Sequence, residues 1–560
     1  MKSFGVAKFR SMLWAGFLGM LIEYLVHVVD SVLLGRLVGI DALSAMNIGE
    51  PVFTVICFLM TLLGTGTATR YSTALGRCDL DGARRVFSES VIAAFGLGGL
   101  LAAAVYLARD PLIGFLSAEG AVAEHARAYF GAVTLYAVTG PLMMLFNALC
   151  YADGDTRLVV AAVAVSSVLH VAFSAAACVF GFGAGGVGLA SGVSALVGIV
   201  VMTVHFRSPA CTYRPCLAFS PRGFLLSCRA SFGDASAFLF SGLLIFLVTK
   251  LAVLSAGTEV LPVLVAVIAV WRLSDVYNGI AIALQPVITV YCGENNTVSI
   301  RETMRDACRV SLLVGLVIWA ALTVFAEPFV RGFGLVEPSA VATSVTAVRI
   351  LAFGNIAYAF IGLFNSYYMF VDRMALAFAL TFLGYFAAPA VGALVGSRFS
   401  TAGIWAGISA GAFTALAAVG GYVFCRYRAA RFPLMLDPGR DAELTVFDLA
   451  LTEREIADVA AKVRAIPGVP MRAGLITEEA LMVVKDRNAG RRLRAEVTVE
   501  RRNGEVGLIL RDDGEIFDIT DADASVSSLR TYLVASLMER ERSRVNLITN
   551  GFNHNVFRFR

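Results

Sequence analysis

The chain has 560 residues, 58% of them hydrophobic and 16% charged, with a mean hydropathy of +0.75. That balance excludes an ordinary soluble globular protein and indicates a polytopic membrane protein. The formal net charge of +4 is carried by short basic loops and implies no nucleic-acid partner.

Apolar runs near or above the roughly 18 to 20 residues that cross a ~30 Å hydrocarbon core recur along most of the chain. About twelve satisfy that length rule, at 11–34, 51–74, 88–108, 128–150, 158–180, 187–206, 234–256, 261–291, 309–330, 345–370, 374–396 and 401–425. The first has a basic lead-in but no small-residue cleavage site, so it reads as an uncleaved helix rather than a signal peptide. It carries Glu23, His27 and Asp30, whose spacing lines them up on one helical face. Each ionisable group there costs about 2.5 to 3.5 kcal/mol on insertion scales, so such a stripe is expected to face protein or a water-filled path. The competing reading lets Asp30 reach the interface while Glu23 and His27 satisfy one another in a packed bundle.

Arginine and lysine gather in alternate connections and before the first run, in a ratio of about 18 to 5. The positive-inside rule therefore places both termini in the cytoplasm of a multi-pass cytoplasmic-membrane protein. All ten cysteines precede residue 426. The closest set is Cys211, Cys216 and Cys228, in a connection expected on the reducing side. A metal site and scattered reduced thiols are the two readings there, and the second is preferred.

Shifting the chain against itself by about 217 residues sets "LFNALCYADGDTR" opposite "LFNSYYMFVDRMA", so that Asn147 faces Asn365. Gly76 then faces Gly293, and "GGVGLASG" faces "AGIWAGIS". An even number of helices in each copy gives parallel repeats, here bundles 1–218 and 219–430, with substrate held between them. After "RYRAARFPLMLDPGRD" charged residues become frequent and no further run could span a membrane. Residues 440–560 read as strand, two helices, two strands, helix and two strands. That is a small cytoplasmic α+β domain with helices on a mainly antiparallel sheet. The fold class is thus an all-α polytopic membrane protein in two parallel six-helix repeats, with this domain appended.

The stretch "VVDSVLLGRLVGIDALSAMNIGEPVFTVICFLMTLLGTGTATRYSTALGRCDLDGARRVFSES" resembles the multidrug and toxin extrusion (MATE) family, as do "YADGDTRLVVAAVAV", "GFGAGGVGLASGVSA" and "IALQPVITVYCGENN". The resemblance covers about residues 10 to 425 and implies a secondary exporter that exchanges a proton or sodium ion for a small amphipathic compound, some of them cationic. It implies no cofactor, a lipid-bilayer setting and a monomer. The family's Asn-x-x-Asp in the first helix corresponds to His27 through Asp30, which makes Asp30 the coupling carboxylate. The fifth helix has His170 and Ser174 where the family often has Asn and an acid. Glu23 is expected to replace that acid and share protons with His170, since a His–carboxylate pair titrates near neutral pH. In the second half Lys250, Arg272, Asp275 and Gln285 are candidate cleft residues, with Asn147 and Asn365 as paired polar groups. Arg272 and Asp275 either form an internal ion pair or face substrate. Gln285-Pro286 and Glu50-Pro51 are expected to bend cleft-lining helices. The sodium-binding acids of one branch have no obvious counterpart here, which favours protons.

The tail resembles the ATP-binding domain of anti-sigma-factor kinases in the GHKL group. The resemblance assigns Glu479 to water activation, and Asp512 and Gly514 to adenine recognition. The magnesium asparagine is Val483, a later glycine is Ile516, and the phosphate loop reads "SSLR". These departures imply a regulatory or structural domain, open to a cytoplasmic regulatory protein, rather than an active ATPase. ATP binding through the adenine alone stays open. Two other readings remain: a lipid-linked-precursor flippase of the same superfamily, and a membrane-tethered ATP-binding signalling protein.

Overall fold

The computed structural model describes residues 3–76, 80–115, 120–153, 155–208, 211, 214, 216, 219–257, 260–293, 296–333, 335–371, 373–427, 443–502, 505–515, 517, 528–538, 544–549 and 552–559. The linker 428–442, Ile516 and the first serine of "SSLR" lie outside them. Twelve helices among the described residues are long and apolar enough to cross a membrane.

The chain divides into two compact units. The larger comprises Leu13–Gln285 and Ala307–Ala429. Its first half is built from α1 (Phe4–Leu33), α2 (Ile40–Ile48), α3 (Glu50–Gly76), α4 (Leu80–Phe115), α5 (Gly120–Ala152), α6 (Thr156–Val179) and α7 (Gly183–Met202). The second contains α8 (Pro221–Ala256), α9 (Leu261–Arg272), α10 (Asn278–Gly293), α11 (Thr297–Val324), α12 (Ala326–Gly332), α13 (Pro338–Phe370), α14 (Met374–Phe382), α15 (Ala388–Gly396) and α16 (Thr401–Tyr427). The repeat is visible in the helices themselves. Both α5 and α13 have 33 residues, and Asn147 and Asn365 occupy equivalent places near their ends.

The second span of each half begins just after a helix break or contains one. In the first half the break falls at Gly49, between α2 and α3; in the second it is a 3-10 turn over Leu273–Tyr277, between α9 and α10. The prolines sit differently in the two halves. Pro51 lies in the first turn of α3, where a missing N–H costs nothing, and α10 runs unbroken past Pro286. Gly49 is needed at its break, because a Cβ there would sit 2.4 Å from the Tyr129 ring.

With no hydrophobic drive between helices inside lipid, small residues set their approach. Gly392 and Gly396 of α15 meet Gly407 and Gly403 of α16 so closely that an added Cβ would lie about 2 Å from a facing carbonyl oxygen. Gly16 and Gly279 make a similar backbone contact between α1 and α10.

The smaller unit comprises Met1–Met12, Pro286–Asp306 and Ala430–Arg560. Its tail follows the expected order: β1 (Glu443–Ala450), α17 (Glu453–Ala465), α18 (Met471–Arg487), β2 (Arg494–Arg502), β3 (Glu505–Asp512), α19 (Ser528–Met538), β4 (Arg544–Thr549) and β5 (Phe552–Phe559). The strands form one antiparallel sheet ordered β1-β2-β3-β5-β4. In α17, Ile456, Val459, Ala460 and Val463 are buried, the one-face spacing of an amphipathic helix. Thr452 caps its start by accepting from Glu455 N. That face packs with α18 and the inward side chains Val497, Val499, Leu508 and Leu510 of the sheet.

Alternation along a strand sends the other residues to the opposite face, and there the register aligns Asp448, Glu496, Arg511 and His554 in a row across four strands. The last three are buried. Residues from the ends of α1, α10 and α11 cover this row. Phe4 N donates to Asp448 Oδ1 at 2.5 Å, and Tyr291 Oη and Ser299 Oγ donate to Glu496 Oε2 at 2.9 and 3.3 Å. Glu496 also pairs with Arg511, whose guanidinium lies 4.8 Å from the Tyr291 ring centre. Beside them Arg10 makes a two-toothed bond to Asp306, at 2.7 and 2.6 Å.

Candidate functional site

The buried polar centre of the larger unit forms where α1, α6 and α7 meet. Asp30, in the last turn of α1, is 4% exposed, and His170 of α6 is 9% exposed. His170 Nε2 and Asp30 Oδ2 are 2.7 Å apart, the short distance of a charge-assisted hydrogen bond. The other ring nitrogen, Nδ1, lies 3.3 Å from Ser194 Oγ on α7. With both nitrogens occupied, His170 has Asp30 as its carboxylate partner, while the expected pairing with Glu23 falls outside the described residues. Among the described residues Asp30 Oδ1 and Ser174 Oγ, both buried, have no hydrogen-bond partner. Asp30 therefore keeps one oxygen open for a proton or an ion.

His27, one turn before Asp30, packs its ring edge-on against Phe53 at 4.7 Å between centres, and Phe53 stacks on Tyr136. The guanidinium of Arg272 lies 5.1 Å from the same Phe53 ring. Arg272 is ion-paired with Glu50, and Asp275 follows it in the 3-10 turn beyond α9. One imidazole, one phenol ring and one guanidinium thus contact the Phe53 side chain, and the Arg272–Glu50 pair joins the two halves.

The MatE family model matches residues 16–176 and 235–394, one stretch in each repeat and together more than half of the chain. The chain belongs to the MATE family. It is 26% identical over 344 residues to a probable multidrug resistance protein NorM of Thermotoga maritima, a match covering 59% of this chain and 72% of that protein. Its structure is similar to an outward-facing multidrug resistance MATE transporter of the MOP superfamily, with a TM-score of 0.67 and 21% identity, covering 77% of this chain and 99% of the other. It is also similar to a MOP superfamily transporter from Pyrococcus furiosus, whose binding pocket has been described as reversed in polarity. There the TM-score is 0.68 at 20% identity, again covering 77% and 99%. The chain is accordingly a multi-pass membrane transporter of the multidrug type. Like other MATE proteins it is a secondary transporter that relies on ion coupling, needs no cofactor and handles small substrates within the bilayer.

The other expected cleft residues have separate surroundings. Asn365 is buried and accepts from Thr381 Oγ1 at 2.9 Å, whereas its repeat mate Asn147 has no partner for Oδ1 among the described residues. Lys250 is exposed, with its ammonium 5.9 Å from the Phe246 ring centre. Asp275 is exposed and Gln285 is partly buried. Reading along the sequence missed Asp234, a carboxylate on the seventh span (α8) that hydrogen-bonds Thr65 of α3. It also missed Glu50 as a charge partner, having read it only beside its proline.

In the tail, Glu479 of α18 is ion-paired with Arg530 of α19 at 3.0 Å. Val483 is buried where the resemblance expects a magnesium ligand. The nearest asparagine, Asn488, uses both ends of its amide, on Glu515 N and Val484 O. Asp512 is buried, and its Oδ1 accepts from Gly514 N at 3.0 Å and Asn553 Nδ2 at 2.8 Å. Burial pushes its carboxyl up to about 6.

Proposed function

We propose that this protein exports amphipathic compounds, cationic ones included, across the cytoplasmic membrane in exchange for protons, with both termini in the cytoplasm. The observation that carries the reading is the buried Asp30–His170 pair, 2.7 Å apart. A carboxylate and an imidazole in direct contact within a desolvated site offer an exchangeable position for a proton. That is what coupling requires. His27, Phe53 and the Arg272–Glu50 pair lie around it and supply an aromatic, partly charged wall for substrate. Transport in proteoliposomes with imposed proton or sodium gradients is the direct test. Uphill export driven by a proton gradient and unaffected by sodium supports the reading. A strict sodium requirement would overturn it and direct attention to Asp234.

The tail is proposed to regulate rather than to hydrolyse ATP. Glu479 is ion-paired with Arg530, and the position where the resemblance expects the magnesium ligand is the buried Val483. The same domain holds the ends of α1, from the first repeat, and of α10 and α11, from the second. Such a grip biases transport by differing in strength between conformational states. Robust magnesium-dependent ATP hydrolysis abolished by Glu479→Ala would restore the signalling-protein reading.

A further inference from the structure

Asp153, His205 and Cys211 bring a carboxylate oxygen, an imidazole nitrogen and a thiol sulfur within 4.8 Å of one another. Asp153 belongs to the turn after α5, and the other two to the connection following α7. Backbone hydrogen bonds set their positions. Asp153 N donates to Leu149 O at 2.9 Å, while Ser208 N donates to His205 O at 2.8 Å and Cys211 N to Ser208 O at 3.1 Å. These bonds tie Cys211 to Ser208 and Ser208 to His205. The Asp153 and His205 side chains are fully buried, over an apolar cluster that includes Tyr71, Leu149 and Met202 and against which Cys211 packs. Asp155 completes the group: its Oδ1 caps α6, and its Oδ2 lies 3.0 Å from His205 Nδ1.

We propose that this cluster binds a borderline-soft divalent transition metal, with Zn²⁺ the ion that best fits the donors. Carboxylate oxygen, imidazole nitrogen and thiolate are the three ligand types zinc takes, whereas calcium and magnesium take oxygen alone. His205 Nε2 and Asp153 Oδ2 are 3.1 Å apart. Two ligands at about 2.0 to 2.1 Å on a tetrahedral centre lie roughly 3.3 Å apart, so a metal replaces the bridging proton with little movement. Tyr71 Oη donates to Asp153 Oδ1 at 2.8 Å, and Oδ2, which faces His205 Nε2, is the oxygen that would take the ion. Asp155 holds the proton on Nδ1, which turns Nε2 toward the metal in the carboxylate–histidine–metal arrangement. Three protein ligands leave one coordination position to water. Loading releases the Nε2 and thiol protons. The ion would fasten the α7–α8 connection, the segment joining the two repeats, onto the α5–α6 turn. Cys216 takes no part, since its sulfur lies 3.3 Å from Ser88 Oγ, which also accepts from Cys216 N.

The test uses the purified full chain, stripped with chelator and titrated with Co²⁺ as a spectroscopic probe, then with Zn²⁺ in competition with a chromophoric chelator. One ion per chain is expected to bind tightly, with a thiolate-to-cobalt charge-transfer band. Cys211→Ser should abolish the band and Cys216→Ser retain it, while His205→Gln should weaken zinc by about tenfold or more. Because His205 is buried and its replacement can disturb folding, the deciding variant is Cys211→Ser. It should melt like the metal-free parent and lose the zinc-dependent rise in melting temperature. Failure to bind a stoichiometric ion, or a band that survives in Cys211→Ser, overturns the site and leaves His205 hydrogen-bonded between two aspartates.

Discussion

Glu50 and Arg272 meet at the two helix breaks of the larger unit. Glu50 is the first residue of α3, just past Gly49, and Arg272 is the last of α9, just before the 3-10 turn. Each charge sits on the helix end that favours its sign, the carboxylate at an N-terminus and the guanidinium at a C-terminus. The pair therefore complements the two helix ends as well as each other. Replacing one partner leaves the other charge desolvated, with a cost of up to about 3 kcal/mol. Glu50→Gln and Arg272→Met are each expected to lower thermal stability and transport, and the double variant to be no worse than the poorer single one. Additive losses in that cycle would show that the contact carries no coupling.

Asp30→Asn is expected to leave the protein inserted and folded but to abolish gradient-driven export, since the side chain keeps its shape and loses its charge. His170→Gln should shift the pH dependence of transport. Combined with Asp30→Asn it should add nothing, because the two share one hydrogen bond. Undiminished uphill export by Asp30→Asn in proteoliposomes would remove the pair from the mechanism.

The spans, the repeat and the order of tail elements were legible because hydropathy and periodicity are local signals. Pairings were not. Glu23 and Asp30 share a helical face two turns apart, and only the packing of α6 against α1 selects Asp30 for His170, 140 residues away. Arg272 has an acid three residues on, but its ion pair with Glu50 spans 222 residues, a distance at which no local spacing signals a contact. The tail strands alternate in a way that suggests a wet outer face. Glu496 and Arg511 are instead buried there, covered by residues hundreds of positions earlier in the chain.

The contact between Tyr291 and Glu496 gives a way to loosen the tail selectively. Tyr291→Phe keeps the ring against Arg511 and removes only the hydroxyl, leaving a buried carboxylate short of one donor at a cost of about 1 to 3 kcal/mol. Amide exchange in β2, and at the junction of α10 and α11, should rise in the full-length protein. Glu496→Leu alone should open the region further, because Arg511 is then buried without its carboxylate. Glu496→Leu with Arg511→Met should recover most of the protection, since an apolar pair can replace a buried ion pair. Equal exchange in all four proteins would show that the row does not hold the tail in place.

The same tail is expected to respond to pH in two opposing ways. His554 is held neutral: burial, then the neighbouring Arg511, lowers its pKa from 6.5 to about 3. Protonation favours the unfolded chain, so stability is lost as pH falls from about 6.5 toward 3. Asp512 has the opposite sign. Burial raises its carboxyl from 3.8 to about 6, so its contribution is fully present below about 4 and is lost as pH rises through 6. Between about pH 4 and 6 the two offset each other, and each single substitution should expose the other. His554→Gln should leave β3 and β5 most protected from amide exchange at the acid end of that window. Asp512→Asn should leave them least protected there. Exchange by mass spectrometry on the full-length protein at pH 4.5, 5.5 and 6.5 reads both slopes, after correction for the intrinsic pH dependence of exchange. Parallel profiles in the two variants would mean that neither group titrates as its burial requires.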